Sequence, residues 1–221
     1  MDHNAVADGG VPRTRIPLAI LLLVGGFLLV IGGGWYILKS TQQNMPLQSA
    51  SALADYGSVP DISLVERSGK TMSLGELKGD IWVASFIFTR CGGSCPAMSM
   101  KMKDLQESLS KAGGARLVSF TVDPDNDTPE RLAEYAKTYQ ADQNKWLFMT
   151  GSRQQMQDLA KNSFHLAIEE GTDPKEPIIH SKRFILIDQE GTIRGYYDSE
   201  DAEAKQKLLG DIGTLLRGDG R

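Results

Sequence analysis

The chain has 221 residues, of which 41% are hydrophobic and 24% charged, and it carries a net charge of -4 at neutral pH. This composition can build a packed core, while the acidic balance excludes the basic face with which nucleic-acid binders neutralise phosphates, so no nucleic-acid partner is expected. Two cysteines are too few for a disulfide framework, and the length suits one domain with additional segments.

The first such segment is N-terminal. From Ile16 to Leu38 the sequence IPLAILLLVGGFLLVIGGGWYIL carries no charge. At 1.5 Å per residue, roughly 20 apolar residues cross a bilayer, so residues 16–38 are predicted to be a transmembrane anchor. The apolar part of a cleaved signal peptide is shorter, about 7 to 15 residues. Small residues that could suit cleavage, Ser49 to Ala54, lie well beyond Leu38. Trp35 and Tyr36 stand where interfacial aromatics belong, and Arg13 and Arg15 before the span outweigh Lys39 after it. Residues 1–15 are therefore expected to form a short cytoplasmic tail. Asp2 and Asp8 in that tail fit poorly with a mitochondrial presequence. The expected location is a bacterial inner membrane, crossed once, with the C-terminal part in the periplasm, a compartment that permits disulfides. Residues 39–58 are polar and small, as in a linker, and residues 59–221 are the expected folded domain.

Within that domain, residues 61–74 suggest a hairpin turning at Ser68-Gly69. Ile81 to Thr89, IWVASFIFT, is an unbroken apolar run suited to a strand buried on both faces. Pro96 opens a helix whose Met98, Met102, Leu105 and Leu109 share one face, and Gly113-Gly114 end it. ARLVSFTVD is a strand ending at Asp123, and Thr128-Pro129 start a helix reaching about Gln140. KWLFM is a third buried strand; Ser152 with Gln155 forms a capping box for a helix to about Phe164. KRFILID and TIRGYYD flank a turn at Gln189-Glu190-Gly191, predicting an antiparallel pair at the sheet edge, and a last helix runs from about Glu200 to Leu216. This β-α-β half followed by a β-β-α half predicts a thioredoxin-like three-layer α/β/α sandwich.

Both cysteines lie in FTRCGGSCPAM, at the end of the first buried strand and the start of the helix. Cysteines serving only as small hydrophobes could be replaced by Ala or Val, so sulfur chemistry is the better reason for the pair. The layout delivers Cys91 and Cys95 to the C-terminal edge of the sheet, where open α/β sheets present their chemistry. The positive helix N-terminus, with Arg90 and Lys101, is expected to ease ionisation of both thiols. Thiolates attack disulfides and bind soft metals, so both chemistries are open. Three residues separate the pair, where thioredoxins have two, and the Thr and Pro that a peroxiredoxin needs are Phe88 and Ala84 here.

A nitrogen ligand would favour metal. Of three histidines, His3 lies in the tail, His165 follows a helix and reads as structural, and His180 precedes the strand from Arg183 to Asp188. In thioredoxin-like folds the loop entering that strand lies against the cysteine loop, so His180 could reach the sulfurs. Structural zinc calls for four protein ligands, whereas Cu(I) accepts two thiolates and Cu(II) accepts nitrogen with sulfur; copper is the favoured ion. Asp123 reads as a turn residue before it reads as a carboxylate supporting a ligand. Met98 and Met102 read as core, and Met100 points the other way.

At these residues the sequence resembles the Sco/SenC family, membrane-anchored thioredoxin-like proteins that assist assembly of the copper centre of cytochrome c oxidase. FTRCGGSCPAM resembles the family's Cys-x-x-x-Cys-Pro loop and VDPDNDTPERLAEYAKTY its Asp-Pro-x-x-Asp-Thr segment. WLFMTGS resembles its Trp and Thr-Gly segment, and HSKRFILIDQEGTIRGYY the region of its distant histidine. The resemblance implies that Cys91, Cys95 and His180 bind copper, as Cu(I) or Cu(II), and that the two cysteines can also cycle to a disulfide. It implies a copper metallochaperone whose partner is oxidase subunit II or another copper-accepting protein. The alternative is a membrane-tethered thiol-disulfide oxidoreductase with Cys91 and Cys95 as its catalytic pair. A sensor is disfavoured by the short tail. The chain departs from the family at Gly92-Gly93-Ser94, where Pro and an acidic residue are common, and this bears on metal affinity and redox potential.

Overall fold

The computed structural model describes residues 53–112, 114–173 and 176–220, with backbone alone at 111–112, 168–173 and 176–180. The tail, the anchor at 16–38 and the first part of the linker lie outside the described residues. Among the described residues no helix is long and apolar enough to cross a membrane.

The chain order is β1 (Ser63–Glu66), β2 (Thr71–Ser73), β3 (Ile81–Ile87), α1 (Cys95–Ala112), β4 (Ala115–Thr121), α2 (Pro129–Thr138) and β5 (Trp146–Thr150). It continues with α3 (Arg153–Asp158), β6 (Ile168–Asp173), β7 (Glu176–His180), β8 (Arg183–Ile187), β9 (Ile193–Asp198) and α4 (Ala204–Arg217). Seven strands make one sheet in the order β2-β1-β5-β4-β3-β8-β9. β3, β4 and β5 run parallel, while β8 pairs antiparallel with β3. Every residue of β3 is buried, because strands lie on both sides of it and packed layers on both faces.

Strand alternation sorts those faces. Trp82 and Phe86 of β3 share one face with Phe120 of β4, and all three rings meet Phe164, with centroids at 6.3, 5.2 and 5.7 Å. Phe164 follows the single π-helical turn Leu159–Ser163, which continues α3, so this segment covers that face. The other face carries Ser85 and Ser119, whose hydroxyls lie 2.9 Å apart, with the Trp146 indole donating to Ser119 at 2.9 Å. α2 packs here through Tyr135 against Phe148, and α1 joins it through the Ser99–Tyr135 hydroxyl pair at 2.8 Å.

The predicted turn at Ser68-Gly69 is present, with Gly69 at φ +80°, a conformation that suits glycine. The caps are present too: Thr128 Oγ1 accepts from Arg131 N, and Ser152 with Gln155 forms the reciprocal box. Several boundaries differ. β3 ends at Ile87 instead of Thr89, and Cys95 itself is the first residue of α1, with Pro96 second. α4 begins at Ala204 instead of about Glu200, because Asp198 and Asp201 accept from the backbone N–H of Glu200 and Glu203 and hold the intervening residues in turns. Tyr56 N and Val59 N donate to Ile193 O and Gly191 O, so the end of the segment read as linker lies along β9.

The two-stranded sheet β6-β7 was not predicted. Its Glu169, Glu170, Gly171 and Asp173 are residue types depleted in strands, and they show no period-2 alternation. His180 is accordingly the last residue of a strand, in register with Ile168, and not a loop residue.

Candidate metal centre

β3 and β4 run parallel in register, with Ile87 opposite Thr121, so their C-terminal ends share one edge. Beyond β3 the chain turns at Phe88, whose carbonyl accepts from Cys91 N at 3.3 Å. Gly92 and Gly93 are exposed, and Cys95 then starts α1, whose first i to i-4 bond runs from Met98 N to Ser94 O at 3.0 Å. The two sulfurs are thus held by the end of a buried strand and the start of an 18-residue helix. Cys91 is 8% exposed and Cys95 0%, and no disulfide joins them. Such a pair, one helical turn apart, can bind a soft metal or close on itself.

The electrostatics differ from expectation. Arg90 Nε donates to Asp123 Oδ2 at 2.6 Å, and this bond, then the carboxylate's charge, makes the guanidinium hold its proton more tightly. Lys101 donates to the backbone carbonyl of Ser199. Both cations expected to favour the thiolates are therefore fixed by other partners, and the N-terminus of α1 adds its own positive potential at Cys95.

Asp123 is a turn residue, as expected. Its carbonyl accepts from Asn126 N and Asp127 N in a turn, while its buried carboxylate holds Arg90, the residue before Cys91. Sequence reasoning missed Asp127. It is 0% exposed, and its carboxylate accepts from Thr89 N, Thr89 Oγ1 and Thr121 Oγ1. Burial pushes its pKa above the ordinary carboxylate value. A signal was present, an acidic residue just before the Thr128-Pro129 cap, but its partners are not local. Tyr135 was also missed. Burial raises its pKa, and its hydroxyl pairs with that of Ser99 in α1 at 2.8 Å.

The strand that follows His180 starts toward this edge. β8 pairs antiparallel with β3, Ile185 opposite Ala84 and Ile187 opposite Trp82, so the start of β8 at Arg183 lies toward the end of β3. His180 precedes that start by three positions. Its side chain lies outside the described ones. Among the described residues no group of three His, Cys, Asp or Glu is arranged to hold a metal.

The SCO1/SenC family model matches residues 54–217, which takes in every element above. The chain belongs to the SCO1/SenC family. It is similar to the SCO1 protein homolog of Bacillus subtilis strain 168, 33% identical over 156 residues that cover 70% of this chain and 80% of that one. A protein of Stutzerimonas stutzeri named for copper binding is 31% identical over 143 residues, 62% of this chain and 68% of that one. The solved structure of BsSco, described as a member of the Sco family of cytochrome c oxidase assembly proteins, superposes with a TM-score of 0.67 at 32% identity. That match covers 76% of this chain and 98% of the other. The mixed α/β fold is the thioredoxin-like fold of that family.

In this SCO1/SenC domain Met98 and Met102 are buried core residues, as their spacing predicts, and Met100 is 50% exposed. His165 is exposed, at φ +50°, in a surface cleft with Tyr56, Arg183 and Asp201. His3 lies outside the described residues.

Proposed function

We propose that the chain is a copper carrier for the copper centre of cytochrome c oxidase, holding the ion through Cys91, Cys95 and His180. The reading rests above all on the buried Cys91/Cys95 pair at the C-terminal edge of the central strand, in a domain of this family. The copper-binding name of the S. stutzeri relative and the oxidase-assembly description of BsSco support it. Two thiolates select a soft ion such as Cu(I), and an imidazole would extend the set to Cu(II). Copper here is cargo, so the site must release it. Cys91, the less buried sulfur, sits below exposed Gly92 and Gly93, where a thiolate of the acceptor can exchange with it first. The acceptor would be oxidase subunit II or another copper-accepting protein. Residues 16–38 would hold the domain on the periplasmic side of the inner membrane, beside membrane-bound clients.

Copper titration of the full chain in detergent under reducing conditions tests the ligand set. Wild type should bind one copper per chain, Cys91→Ser and Cys95→Ser should lose it, and His180→Ala should weaken it by at least about tenfold. Wild-type affinity in His180→Ala refutes the three-ligand site.

A second reading has its own support. Two cysteines at the start of one helix on a thioredoxin-like scaffold can serve as a dithiol, and the BsSco structure is described in terms of a disulfide switch. A thiol-disulfide oxidoreductase would keep its activity in His180→Ala and lose it in either Cys→Ser variant.

A further inference from the structure

Two of the three residues between β3 and Cys91, Thr89 and Arg90, are each gripped by the turn that follows β4. Arg90 is held by Asp123, and Thr89 by Asp127, whose carboxylate takes the Thr89 N–H at 3.1 Å and the Thr89 hydroxyl at 2.5 Å. The same carboxylate takes the Thr121 hydroxyl, also at 2.5 Å, at the end of β4. Asp127 thus joins Thr89, just beyond the end of β3, to Thr121, the last residue of β4.

Stability alone is a poor reason for a carboxylate here. Asp127 is fully buried, and among the described residues no cation forms an ion pair with it. Its donors are two hydroxyls and one amide, so its negative charge is carried into a site of low polarity with Arg90 as a cation that makes no direct ion pair. A neutral amide would join the same strands at lower cost. What the carboxylate adds is acceptor capacity: two oxygens with about four lone-pair sites take three donors at once and leave Thr89 little freedom.

We infer that Asp127 is a positioning residue that sets the placement of Cys91 through Thr89. The copper part of its consequence rests on the function proposed above; the dithiol part does not. Removing the grip frees the segment that carries Cys91 while Cys95 stays anchored in α1, so the sulfur–sulfur relation changes and the dithiol/disulfide equilibrium changes with it.

The test uses the full chain in detergent, with Asp127→Ala, Asp127→Asn, Thr89→Val and Thr121→Val. Copper-free dithiol/disulfide equilibria are measured against a glutathione buffer, and copper affinity and the thiolate-to-copper absorption band are measured separately. Asp127→Ala and Thr89→Val should shift the dithiol equilibrium constant by about tenfold, equivalent to about 30 mV. They should weaken copper binding by a similar factor and move the absorption band. Asp127→Asn, which keeps an acceptor for Thr89 N, should stay within about threefold, and Thr121→Val, which leaves both bonds from Thr89 to Asp127 in place, should shift the dithiol equilibrium less than Thr89→Val does. If Asp127→Ala does not fold, Thr89→Val carries the test, since it removes one hydroxyl from a half-buried position. Folded variants at Asp127 and Thr89 with wild-type dithiol equilibria overturn the inference, as does an equal shift in Thr121→Val. A wild-type chain that binds no copper refutes the carrier reading and leaves the dithiol comparison to decide the role of Asp127.

Discussion

At the level of single residues, the cysteines and Asp127 illustrate two kinds of legibility. Cys91 and Cys95 stand out because no other cysteine competes with them and because their chemistry is written in the side chain. Asp127 does not stand out: its acceptor contacts span 38 residues to Thr89 and 6 to Thr121, and only folding creates them. Its burial makes a pH prediction. A carboxyl whose folded pKa is raised contributes stability that is fully present below its ordinary value, near 3.8, and lost as pH rises through the raised value. Asp127→Asn removes that loss. Denaturant unfolding between about pH 4 and about pH 7 should show the variant gaining on wild type as pH rises, the opposite of what a salt-bridged Asp would give.

Among the elements, periodicity and turn signals found the helices and most of the strands, and missed β6 and β7. Met98, Met102, Leu105 and Leu109 of α1 are buried as their spacing predicts, whereas Met100, out of phase with them, faces solvent. Truncating a buried methionine leaves a cavity, so Met98→Ala should cost about 2 to 5 kcal/mol in equilibrium unfolding. Met100→Ala should change stability by less than about 0.5 kcal/mol. β6 and β7 escaped sequence reading because the acidic and glycine residues of β6 mimic a loop. The boundary errors at β3, α1 and α4 are of the order expected where a turn and an element end compete for the same backbone groups.

For the molecule as a whole, the anchor and the folded domain are separate propositions. The domain has its own hydrogen bonds from Tyr56 onward, along β9, so removal of residues 1–49 should leave its fold in place. Deleting residues 16–38 should move the protein from the alkali-resistant membrane fraction to the soluble one and leave the copper affinity of the domain unchanged. Recovery of the intact chain in the soluble fraction would refute the anchor. The sequence by itself determined the cysteine pair, the buried run before it, the helix after it and the caps, because capping, side-chain period and thiol chemistry act over a few adjacent residues. Only the tertiary structure decided that β8 returns antiparallel beside β3, with its start toward the end of β3, and that a buried carboxylate holds Thr89, two residues before Cys91. Sheet order and the partners of a buried charge are settled by contacts between distant segments, which no local pattern encodes.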